Sequence, residues 1–95
     1  MREIDLTKEP TGTRVCLMTK SGSTYMVTVG SHADDDINFA HHLTIESDTR
    51  SVDIKLRPGQ QGNLVAQKKV SIGQNWRWGL GFQTSPVLFI DVDRP

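Results

Sequence analysis

Apolar side chains recur at every second position along much of this chain, punctuated by glycine and proline. Period two is the signature of a strand with one covered face, whereas a helix needs an apolar stripe every three to four residues, and no stretch sustains one. The pattern predicts an all-β fold of about six to eight mainly antiparallel strands, arranged as a small barrel or a two-layer sandwich. A chain of 95 residues feeds one hydrophobic core, so a single domain over 1–95 is expected.

Ile4 and Leu6 alternate with Glu3 and Asp5 as a first short strand, and Glu9-Pro10-Thr11-Gly12 reads as the turn after it. Arg14–Thr19 and Thr24–Val29 follow as strands around Lys20-Ser21-Gly22-Ser23, a natural hairpin connection. A two-residue Ser21-Gly22 loop would set Met18 opposite Tyr25, Cys16 opposite Val27 and Leu17 opposite Met26. Both faces of that hairpin would then carry apolar pairs, which suits a strongly curled sheet or an interface.

Ser31-His32-Ala33-Asp34-Asp35-Asp36-Ile37-Asn38-Phe39-Ala40-His41-His42 raises the question of a metal site. As a strand from Ile37, the segment puts Ile37, Phe39, His41, Leu43 and Ile45 on one face and Asn38, Ala40, His42, Thr44 and Glu46 on the other. Adjacent His41 and His42 then point apart and cannot chelate one ion. The three aspartates lack the alternate spacing and glycine of a calcium loop. No metal ligands are assigned; Asp34–Asp36 read as a solvated turn, with a short helix capped by Asp34 and running through His42 as the alternative.

Ser51–Arg57 alternates Val52, Ile54 and Leu56 with Asp53, Lys55 and Arg57, and Pro58-Gly59-Gln60-Gln61-Gly62 then breaks the chain. Leu64–Ala66 and Val70–Ile72 give one bent strand or two short ones. Val87–Val92, after Pro86, is apolar enough to be covered on both faces.

Trp76-Arg77-Trp78-Gly79-Leu80-Gly81-Phe82 is the most unusual stretch. Extended, it aligns Trp76, Trp78, Leu80 and Phe82 on one face and Arg77, Gly79, Gly81 and Gln83 on the other. The apolar stripe fills a core in the plainer reading. In the sharper one, Trp76, Arg77, Trp78, Gly79 and Gly81 form a partner-binding edge, because tryptophan and arginine are enriched at interface centres and glycines admit a close approach.

Nucleic acid is the rival. Between Asp53 and Asp91 there is no acid, and the interval carries Lys55, Arg57, Lys68, Lys69 and Arg77 beside two tryptophans, the combination with which small barrels bind single strands. Against it stand the zero formal charge and the lack of the aromatic motif of RNA-recognition sheets. The charge is uneven: residues 1–50 hold five basic and eight acidic side chains, and residues 51–95 hold six and three.

Nothing marks an enzyme. The chain has no nucleophile elbow, no phosphate-cradling glycine loop and no zinc-protease pair, so no catalytic residue or cofactor is assigned. Cys16, the lone cysteine, excludes a disulfide framework and reads as a small buried hydrophobe. No run approaches the roughly 18 apolar residues of a membrane span, and no basic leader precedes an apolar core, so a soluble cytoplasmic protein is expected.

The opening IDLTKEPTGTRVCLMTKSGSTYMV and the closing TSPVLFIDV resemble the ends of short uncharacterised β-rich proteins encoded by bacteriophages and mobile elements of high-GC Gram-positive bacteria. The resemblance implies a small accessory protein that acts by binding, and supplies no catalytic residues. Asp34–Asp36 and the two histidines have no counterpart in it. The function expected is a non-enzymatic interaction module for a protein partner or for itself, through a sheet edge or the aromatic and glycine strand. A homo-oligomeric assembly component and a single-strand nucleic-acid binder are the alternatives.

Overall fold

A computed structural model describes residues 2–30, 41–47, 51–56, 66–78 and 82–95; for His41, His42 and 51–56 it describes the backbone alone. The fold is all-β. The strands are β1 (Glu3–Asp5), β2 (Arg14–Thr19), β3 (Thr24–Val29), β4 (His41–Glu46), β5 (Ser51–Leu56), β6 (Lys69–Ser71), β7 (Arg77–Trp78), β8 (Phe82–Gln83) and β9 (Val87–Asp93). Every strand pairing among them is antiparallel.

Five strands form one sheet in the order β5-β4-β3-β2-β9, while β1-β6 and β7-β8 are two-stranded. Among the described residues the large sheet stays open, with β5 and β9 as its ends. Its inner face supplies Val15, Leu17, Val27, Val29, Leu43, Ile45, Val87 and Ile90 to one core cluster. The small sheets and their flanks bring Ile4, Leu6, Ala66, Val70, Trp76 and Trp78 to the same cluster. The layered half of the sequence expectation thus matches the arrangement, in which apolar side chains of facing strands leave water together.

The β2–β3 hairpin corrects the expected register by one residue. Val15 pairs with Val27, Cys16 with Met26 and Leu17 with Tyr25. The connection has three residues, Lys20-Ser21-Gly22. The Thr19 N–H donates to Ser23 O (3.1 Å), the Gly22 N–H donates to Thr19 O (3.0 Å), and Gly22 takes the left-handed φ of 93° that closes such a loop. A one-residue slip exchanges faces. Val15, Leu17 and Thr19 are therefore buried together on one side, and Arg14, Cys16 and Met18 share the other, so the hairpin is one-sided.

Two further turns differ in detail. The first connection closes at Pro10–Thr13, where the Thr13 N–H donates to Pro10 O (3.1 Å) and Gly12 sits at φ 95°. Leu6 leaves the first strand for a 3-10 turn over Leu6–Lys8, capped by the Asp5 carboxylate accepting from the Thr7 N–H (3.0 Å) and hydroxyl. Leu6 is still fully buried. His41 and His42 belong to β4, which removes the helix alternative for those two residues. Asp34–Asp36 lie outside the described residues, as do Ile37 to Ala40.

The charged halves interleave. β2 lies between β3 and β9, and Arg14 is the Cα partner of Asp93, so the basic and acidic portions of the sequence do not separate into two poles there.

Candidate interaction surface

The aromatic stretch folds as a hairpin, which corrects the single extended strand expected over 76–82. Arg77 pairs with Gln83 and Trp78 with Phe82; Gly79, Leu80 and Gly81 lie outside the described residues. Trp76 is 1% exposed and Trp78 5%. Tyr25 meets Trp78 edge-on at 5.4 Å between ring centroids, Trp76 lies 5.2 Å from Trp78, and Phe82 stacks on Trp78 at 6.2 Å.

Polar partners fix this cluster from the rim. The Trp76 indole Nε1 donates to the Gln67 carbonyl (3.0 Å) and the Trp76 N–H to Thr84 Oγ1 (3.0 Å), while the Thr84 N–H donates to Trp76 O (2.8 Å). The two rings are therefore core, and neither offers a platform for a partner or a base. Arg77 is exposed, but its Nε donates to Gln83 Oε1 (3.1 Å) and its N–H to Gln67 Oε1 (3.2 Å).

The basic set is dispersed in role. Lys68, Lys69 and Arg77 are exposed. Lys55 lies in β5 as the partner of His42, and Arg57 falls outside the described residues. Lys69 is the Cα partner of Asp5. Desolvation raises the Asp5 carboxyl, and the Thr7 hydroxyl and amide, with Lys8 and Lys68 nearby, outweigh it, holding that carboxyl below its usual range. An acid thus stands within the basic group.

Sequence reasoning missed the outer face at β2 and β9. Met18 is 49% exposed, Leu88 58% and Phe89 52%. Met18 and Phe89 are Cα partners, and the register shifts beside them, since Thr19 pairs with Val87. Leu88 is the extra residue of that bulge, so two adjacent apolar side chains reach solvent where simple alternation would bury one. Val87–Val92 is thus covered on its inner face and open on its outer one, which corrects the expectation of two covered faces.

Along the same face, Cys16 pairs with Asp91 and Met26, and Arg14 with Asp93 and Thr28. Cys16 is half-buried there, rather than packed in the core as expected. Asp91 and Asp93 are exposed. The legible signal was the pair Leu88-Phe89 itself, since a strand with one covered face must leave at least one of two adjacent apolar side chains exposed.

Among the described residues no three of His, Cys, Asp and Glu form a metal-holding group, and no helix is long and apolar enough to cross a membrane. Comparison with protein-family models, curated proteins and solved structures gave no match to the chain.

Proposed function

We propose that the chain is a non-enzymatic interaction module of the cytoplasm that binds an extended segment of a protein partner along the edge strand β9. The observation that carries this reading is the group Met18, Leu88 and Phe89, each about half exposed and set together at the end of the five-stranded sheet. Covering them would contribute on the order of 1 kcal/mol per side chain. A free thiol at Cys16 suits a reducing compartment.

The Arg77 strip gains less support, because Trp76 and Trp78 are buried and Arg77 is already bonded. Single-strand binding loses its stacking platform for the same reason. The test is capture from a lysate of the source cells, treated with nuclease, using the wild-type chain, a Leu88→Ser/Phe89→Ser double variant and Arg77→Glu. A stoichiometric partner held by wild type and Arg77→Glu and lost by the double variant is the expected result. Retention by the double variant, or capture of nucleic acid alone, overturns the reading.

A further inference from the structure

Resting on that reading, we infer that the β9 edge selects a basic strand, one that alternates Lys or Arg with apolar residues, in preference to an acidic strand or a second copy of this chain. Backbone direction comes first. The Thr19 N–H points to β3, where it donates to Ser23 O, so along β2 the alternate residues Met18, Cys16 and Arg14 turn their backbone groups toward β9. Their partners are Phe89, Asp91 and Asp93. Ile90 and Val92 therefore turn theirs away from the sheet, and among the described residues no backbone group meets them. Among the described residues, only Val87, at the start of the strand, is engaged on that side: its carbonyl accepts from Gly73 N–H (2.7 Å) and its N–H donates to Gln74 O (3.0 Å).

A strand added antiparallel would bond at Ile90 and Val92 and would face Phe89, Asp91 and Asp93 at the intervening positions. Those intervening pairs are the close ones of an antiparallel ladder, with Cα atoms about 4.5 Å apart, so charge there is felt directly. The side chains of Phe89, Asp91 and Asp93 lie on the outer face and are exposed. Ile90 is buried and Val92 half-buried on the inner face, which asks for apolar residues at the bonding positions of the incoming strand. The complementary pattern is basic opposite Asp93, apolar, basic opposite Asp91, apolar, and apolar again opposite Phe89.

A second copy fits badly. The pairing that bonds Ile90 and Val92 of both copies sets Asp91 directly opposite Asp91, and like charges at that spacing repel. The acids thus protect the edge from pairing with itself while marking it for a basic guest.

The test uses the full chain and two fluorescent peptides, one with the core Lys-Val-Lys-Val-Leu and one with Glu-Val-Glu-Val-Leu, titrated by anisotropy at low salt. The lysine peptide is expected to bind tighter by about tenfold or more, the sum of two favourable pairs against two repulsive ones. Amide exchange should slow at Ile90 and Val92 on binding, and Asp91→Lys/Asp93→Lys should reverse the preference. Equal affinity for the two peptides, or a preference unchanged by charge reversal, overturns the charge selection and leaves the module reading standing. Binding of neither peptide, or protection elsewhere than β9, overturns the edge as the docking strand. Loss of the captured partner in the Leu88→Ser/Phe89→Ser variant remains the separate measure of the module itself.

Discussion

Met18 and Phe89 face one another across β2 and β9, each half exposed, immediately beside the bulge at Leu88. Neither side chain is held by the core, so the fold should not depend on them. Leu88→Ser/Phe89→Ser is expected to change stability by no more than about 0.5 kcal/mol, as surface changes away from caps and turns do. Denaturant unfolding of the double variant checks this, and a loss several times larger would show the two residues to be structural.

Trp76 is the opposite case, nearly sealed and bonded at its indole, amide and carbonyl. Trp76→Ala is expected to cost about 3–5 kcal/mol, the range of large aromatic deletions. Trp76→Phe keeps most of the volume and loses the bond to the Gln67 carbonyl, for about 1 kcal/mol. Thermal melts of both variants should therefore be far apart, and similar melting temperatures would contradict the role given to packing.

Gly22 has open space where a side chain would go, and its cost on substitution is purely conformational. With φ at 93°, Gly22→Ala is expected to destabilise by about 1–2 kcal/mol. A D-alanine at the same place, introduced by semisynthesis, should cost little. Equal losses for the two enantiomers would mean that steric contact, and not backbone angle, decides the position.

Asp5 should report on pH. Its carboxyl is held below the usual carboxylate range in the folded chain, so the stabilisation is complete above about pH 4, the unfolded value, and is lost as pH falls through the lower folded value. Asp5→Ala removes the cap on the Leu6–Lys8 turn, worth about 0.5–1 kcal/mol at neutral pH. Urea titrations at pH 7 and pH 2.5 should show the gap between wild type and variant closing in acid, and a constant gap would remove the carboxylate from the account.

Local pattern carried much of this fold. Alternation placed β2, β3 and β5, and the inward positions Leu43 and Ile45 followed from period two. The β2–β3 register did not follow, because Ser21-Gly22 lacks the asparagine or aspartate that marks a two-residue loop, and Gly22 serves equally as the last residue of a three-residue one. That single step created the impression of an apolar pair on each face. Trp76 and Trp78 share a buried side as their spacing required, whereas the chain does not run extended through to Phe82 but reverses between Trp78 and Phe82. The outer patch stayed hidden for a similar reason: a bulge depends on what lies across the ladder, and nothing in Val87–Val92 names β2 as its neighbour.

The central place of β2 has a consequence for how the chain comes to be folded. One of its edges is closed by β3 across a three-residue loop, and the other waits for β9, far along the chain. Loop closure of that length is slow to reward the chain, so folding should be limited by the arrival of residues 87–93 rather than by the hairpin. Until then β2 is itself a bare edge lined by Cys16 and Met18, and that wait is the interval of greatest exposure to misassociation.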